Sequence, residues 1–157
     1  LYKKKLTYGL NLLGGIESLI PTNKKVLLKP NLLMGTSVED AVTTHPIILE
    51  SIIAILKKRG YTVGYGDSPG FGQPDKVANK AGLKEVANKH GIPIADFTNG
   101  YTAHHTKGKI CKQFQIVDAY KEHDAIINLP KMKSHALQRI KVPLRTRLDL
   151  FMDTIKG

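Results

Sequence analysis

Val26-Leu27-Leu28 sits between Lys24-Lys25 and Lys29-Pro30, and the run Pro46-Ile47-Ile48-Leu49-Glu50-Ser51-Ile52-Ile53-Ala54-Ile55-Leu56-Lys57-Lys58-Arg59-Gly60 leads straight into Tyr61-Thr62-Val63-Gly64-Tyr65. The first stretch is a short apolar strand that stops at Pro30. The second opens with proline at a first helical position, carries Ile47, Ile48, Ile52, Ile53, Ile55 and Leu56, and closes on Gly60, which together mark a helix. Lys57, Lys58 and Arg59 fall in its last turn, where the macrodipole favours cations. A residue before proline is driven out of the α region, so His45 or Thr44 is expected at the cap. The third stretch is another strand. Strand, loop, helix and strand in that order make a βαβ unit, whose crossover is right-handed and joins parallel strands.

The same reading extends outward. Leu6 to Ile20 has helical spacing of its leucines and isoleucines, weakened by Gly14-Gly15. Asp75–Ala81 and Leu83–His90 read as short helices separated by Gly82 and ended by Gly91. Ile92–Phe97 reads as a strand whose Pro93 points to its start or to an edge. Lys109–Ile116 partly alternates, as an edge or hairpin strand would, and Asp124–Pro130 repeats the buried-strand pattern. The segments 31–44 and 66–74 read as loops. The expected fold is α/β: three layers, a mostly parallel sheet with flanking helices. Residues 1–136 read as a single domain, and 137–157 as a basic segment, the truncated or divergent end of the same domain.

Composition narrows the class. The chain has 157 residues, 41% of them apolar, enough for a core without staples. The single Cys111 excludes an internal disulfide and a cysteine-built metal cluster, and it suits a reducing, cytoplasmic setting. Its strand-like surroundings make it a small packed residue rather than a nucleophile. No apolar run approaches the ~18 residues of a membrane span, and no membrane partner is expected. The start Leu1-Tyr2-Lys3-Lys4-Lys5-Leu6 is not a convincing signal peptide and lacks an initiator Met, as a processed or trimmed fragment would. The net charge of +11 implies anionic partners: nucleic acid, phosphorylated small molecules or acidic proteins.

In open α/β sheets, ligands bind outside the carboxyl ends of the strands. Three expected strand ends carry polar clusters there: Lys29-Pro30-Asn31, Gly66-Asp67-Ser68-Pro69-Gly70 and Pro130-Lys131-Met132-Lys133-Ser134-His135. Thr43-Thr44-His45-Pro46, at the start of the long helix, lies on the same edge, and a helix start offers N–H groups to an anion. The expected ligand-binding set is therefore Lys29, Asn31, Thr43, Thr44, His45, Ser68, Lys131 and Lys133. Asp67 and His135 are the proton-transfer candidates. Each has a plainer reading as well: Thr44 as a helix cap, Asp67 as a turn residue and His135 as a surface histidine. His104-His105 has no third ligand at metal spacing, so a polar loop and no metal are expected. The glycines of residues 64–70 do not form GxGxxG, and GxxxxGK[ST] is absent, so neither a dinucleotide fingerprint nor a P-loop is present.

Lys29-Pro30-Asn31-Leu32, Thr43-Thr44-His45-Pro46, Gly66-Asp67-Ser68-Pro69-Gly70 and Ile127-Asn128-Leu129-Pro130-Lys131-Met132-Lys133-Ser134-His135-Ala136 occur in this order. The combination resembles the domain-of-unknown-function family 362, from about Val26 to Ala136. The resemblance implies redox-linked metabolism, because members often carry a downstream ferredoxin-like domain with two four-iron clusters. Those clusters would belong to a missing or separate module, since this chain has one cysteine and no cofactor is expected in it. The resemblance fades after Ala136. There the family pattern GAVKNLFG gives way to Gln138-Arg139-Ile140-Lys141-Val142-Pro143-Leu144-Arg145-Thr146-Arg147, with only Leu150-Phe151 and Ile155-Lys156-Gly157 close to its ending.

Three functions compete. The first is a site for a phosphate- or carboxylate-bearing small molecule, with catalysis open. The second is non-catalytic docking of an acidic ferredoxin-type protein. The third is nucleic-acid binding through the basic C-terminal segment, disfavoured by the lack of a recognised module and of aromatics among the late basic residues. A parallel sheet with an incomplete edge is also compatible with a homodimer.

Overall fold

The computed structural model describes residues 1–110 and 112–133 in full, and the backbone of 134–135 and 139–141. Two helices, α1 (Tyr2–Leu12) and α2 (Ile16–Leu19), precede the first strand β1 (Lys25–Pro30). Then come α3 (Pro46–Lys58), β2 (Thr62–Tyr65), α4 (Pro74–Lys80) and α5 (Leu83–His90). β3 (Gly100–His104) and β4 (Gln113–Val117) form an antiparallel pair. A 3-10 turn (Asp118–Tyr120) leads to β5 (Ala125–Leu129), and β6 (Lys133–His135) pairs antiparallel with β7 (Arg139–Lys141).

The βαβ unit is present as read: β1, α3 and β2, with the two strands parallel and Leu28 opposite Tyr65. β5 joins the other side of β1, also parallel, with Leu28 opposite Ile127. The sheet order is β2-β1-β5, so β1 is central and apolar on both faces. Alternation sorts those faces. Val26 and Leu28 enter the larger core, against Leu49, Ile53 and Leu56 of α3 and Leu83 and Ala87 of α5. Leu27 points the other way, into a smaller cluster with Phe97, Val117 and Ala119. The α/β class stands. The layer over the second face is built, among the described residues, from loop, hairpin end and 3-10 turn.

Three expectations need correction. The helix read from Leu6 to Ile20 is two helices, because Gly14 and Gly15 adopt φ of 88° and 87° and break the hydrogen-bond ladder. Ile92–Phe97 is not a strand of the sheet. It makes one parallel bridge, Tyr65 to Ile94, in which Pro93 lends its carbonyl to the Tyr65 N–H and Ala95 donates to the Tyr65 carbonyl. His104 is not in a loop but ends β3, opposite Gln113. Cys111 and most of 137–157 lie outside the described residues.

The turn after Phe97 is held by Asp96. Its carboxylate accepts from the Thr98 hydroxyl (2.7 Å), the Asn99 side-chain amide (2.7 Å) and the N–H groups of Thr98 (2.7 Å) and Asn99 (3.1 Å). The Thr98 hydroxyl first, then these other donors, hold the carboxyl well below the usual carboxylate range. A depressed folded pKa contributes stability above the unfolded value, near 4, and that stability is lost as pH falls through the folded value. Asp96→Asn is therefore expected to lower stability at neutral pH and to flatten its decline below about pH 4. Denaturant melts of both proteins across that range check this. A parallel decline in the two would contradict it.

Candidate site at the carboxyl edge of the sheet

Because β1, β2 and β5 are parallel, their carboxyl ends share one edge, and α3 starts there because it runs back from it. Thr44 ties the edge together. Its hydroxyl accepts from the Asn31 N–H (2.8 Å) and donates to the Leu129 carbonyl at the end of β5 (2.6 Å), while its own N–H donates to the Asn31 carbonyl (3.2 Å). A hydroxyl side chain suits this position, since one hydroxyl can accept and donate at once. Thr44 is thus not the helix cap. His45 is, with its ring Nδ1 accepting from the Ile47 N–H (3.1 Å).

That cap changes what the helix start can do. Pro46 has no N–H, the Ile47 N–H goes to the His45 ring, and the Ile48 N–H goes to the His45 carbonyl (3.0 Å). These leading N–H groups are used within the chain, so the expected donation from the α3 start to an anion is not provided by them.

Below the edge lies an ion pair. Lys29 Nζ is 2.5 Å from Asp67 Oδ1, and the two side chains are 1% and 0% exposed. Asp67 Oδ2 also accepts from the Leu32 N–H (2.7 Å). One carboxylate therefore joins the ends of β1 and β2 to the first turn of the long loop. Asp67, expected as a proton-transfer candidate or a turn residue, pairs with Lys29 here. Gly66, just before it, lets the strand end pass close to the second face: a Cβ there would lie 2.7 Å from the Phe97 ring and 3.2 Å from the Ala95 carbonyl.

The other expected residues fall as follows. Asn31 is buried, and its Oδ1 has no hydrogen-bond partner among the described residues. Thr43 and Ser68 are buried beside Thr44 and Asp67 in the chain. Lys133 reaches back to the long loop, where its Nζ donates to the Val42 carbonyl (2.8 Å). Lys131 is partly exposed on the same strand exit. The side chain of His135 lies outside the described residues, as does that of Ser134. Tyr65, at the end of β2, belongs to the core: burial, with Asp75 adding to it, pushes its hydroxyl up to about 12, so it stays neutral in the working range. No group of three metal-ligating side chains occurs among the described residues.

The sequence left out the backbone groups of this site, namely the Leu32 N–H and the Val42 and Leu129 carbonyls. No side-chain pattern announces such groups.

A parallel β2-β1-β5 sheet flanked by helices makes this an α/β protein, with a buried ion pair at the carboxyl ends of β1 and β2. The family model described as Domain of unknown function (DUF362) matches residues 26–144. The chain belongs to that family. The thylakoid-associated protein sll1697 of Synechocystis sp. (strain ATCC 27184 / PCC 6803 / Kazusa) is 33% identical over 124 residues, which cover 79% of this chain and 38% of the relative. The chain therefore spans well under half the length of that relative. No solved structure matches. Among the described residues, no helix is long and apolar enough to cross a membrane.

Proposed function

We propose that the carboxyl edge of the sheet binds a phosphate- or carboxylate-bearing small molecule, as the substrate of a redox-linked metabolic step. The observation that carries this reading is the fully buried Lys29–Asp67 pair at the ends of β1 and β2, with the Asn31 Oδ1 close by in the chain and lacking a hydrogen-bond partner among the described residues. A buried ion pair is a weak source of stability, and an unsatisfied buried acceptor opposes folding, so a cluster with both features reads as a site rather than as packing.

In this reading Lys131 and Lys133 supply the positive charge that meets the ligand, because Lys29 is already matched by Asp67. Thr43 and Ser68 supply hydroxyls, and Thr44 and His45 hold the loop in place. Asp67 and His135 are the proton-transfer groups. Iron–sulfur clusters, where the reaction uses them, come from a separate module or a ferredoxin-type protein. The setting is a reducing compartment such as the cytoplasm, and the thylakoid association of the relative is a reason to look for a peripheral membrane contact there.

A thermal-shift screen of phosphate- and carboxylate-bearing compounds tests the placement. Compounds that raise the melting temperature of the wild type are expected to lose that effect on Lys131→Gln/Lys133→Gln, a double variant that should fold because both lysines are partly exposed. Undiminished shifts for every binder would remove these lysines from the site.

A further inference from the structure

α1 packs unlike the other long helices: it has no fully buried residue. Leu6 and Leu10 lean on the core over α3, but Tyr8, Leu12 and Leu13 are 66%, 70% and 65% exposed. Leu1 and Tyr2 are exposed as well. At 3.6 residues per turn, Leu1, Tyr8 and Leu12 form one outward stripe, and Tyr2, Gly9 and Leu13 the stripe beside it. The second stripe borders an apolar groove of about 450 Å³ between α1 and Ile48 of α3, walled by Leu6, Leu10 and Leu13. Lys5 lies between the two stripes and lines the groove with them, so apolar side chains and a cation share this face. Its charge has one sign. Lys3, Lys4 and Lys5 follow one another, α1 contains no acid, and none of these lysines makes an ion pair among the described residues.

We propose that α1 lies flat on an anionic lipid surface. Its leucines would enter the acyl boundary, its tyrosines would sit at headgroup level, and its lysines would reach lipid phosphates along their aliphatic stems. Charge selects this occupant. A second copy seated on the same face would set Lys4 and Lys5 against their counterparts, whereas an anionic bilayer meets both the apolar stripes and the charge. The sequence-based expectation of no membrane partner rested on the absence of a spanning segment, and a helix lying in the interface is not subject to that length requirement.

Flotation of the 157-residue chain with vesicles of phosphatidylcholine alone, and of phosphatidylcholine with phosphatidylglycerol, tests this. The chain is expected to float with the anionic vesicles only. Tyr8→Ser/Leu12→Ser, which leaves the charge unchanged and alters exposed side chains, is expected to weaken that binding about tenfold or more. Lys4→Gln/Lys5→Gln, both exposed, should weaken it too, with an unchanged melting temperature. Absence of flotation overturns the proposal. So does equal flotation of Tyr8→Ser/Leu12→Ser and wild type, which would mean diffuse attraction of a +11 protein. A dimer in size exclusion that Tyr8→Ser/Leu12→Ser dissolves, with no vesicle binding, would assign the face to a second copy instead.

Discussion

Lys29→Met is expected to destabilise the protein by about 3–5 kcal/mol, a fall of about 10 °C or more in melting temperature for a chain of this size. The reason is the position of Asp67. Its carboxylate is 0% exposed and faces Lys29 at 2.5 Å. Removing the ammonium takes a close cation from a buried carboxylate, which weakens the compensation of its charge and favours its protonation, and both cost stability. The companion Lys29→Met/Asp67→Leu removes both charges. It should recover part of the loss but not all of it, because the Leu32 N–H then loses the acceptor it has in Asp67 Oδ2. A double-mutant cycle by denaturant unfolding measures the coupling. Additive losses at the two positions would mean that the pair does not act as a unit.

Leu28→Ala is expected to cost about 3–5 kcal/mol, near the upper end for deletion of a buried leucine. Leu28 is fully buried at the centre of the central strand, opposite Tyr65 on one side and Ile127 on the other. Strands hydrogen-bonded on both sides cannot close around the cavity, so most of its volume should remain. Leu12, 70% exposed on α1, is the contrast: Leu12→Ala should shift stability by less than about 0.5 kcal/mol. Urea titrations of the two variants check the pair. A small loss at Leu28 would mean that the core there is looser than its burial implies.

The parts of this fold that the sequence made legible are those where local signals agree. Pro46, the isoleucine run and Gly60 bracket α3 because cap chemistry, periodicity and stop signal coincide there. Val26-Leu27-Leu28 reads as a buried strand because it is short, apolar and stopped by Pro30. Elsewhere one signal outweighed another. The leucines of residues 10–20 keep helical spacing, yet two consecutive glycines at positive φ divide them. Ile92–Phe97 has strand composition, but Pro93 has no N–H to give a ladder, so a single bridge remains. β3 went unread. Tyr101 and Ala103 do alternate with exposed neighbours, but the pattern is short and only its pairing with β4 makes it a strand.

At the site, residue types were legible and geometry was not. Lysines and aspartates are exposed by default, so nothing in the sequence says that Lys29 and Asp67 are fully buried. Local propensity offers Thr44 two uses, as a ligand-binding hydroxyl or as a helix cap, and neither names its actual partners. Its partners, in Asn31 and Leu129, are fixed by the parallel sheet and are remote from local propensity. The α3 start has the composition of an anion site, but the His45 ring caps it from within the chain.

The placement of an anion site at this edge is tested by isothermal titration of inorganic phosphate, and of the strongest compound from the thermal-shift screen, into wild type and Lys131→Gln/Lys133→Gln. Saturable binding to the wild type, weakened about tenfold or more for each lysine removed, is the expected result. Equal affinity in the two proteins, or no saturable binding of phosphate or of any screened anion by the wild type, would contradict it.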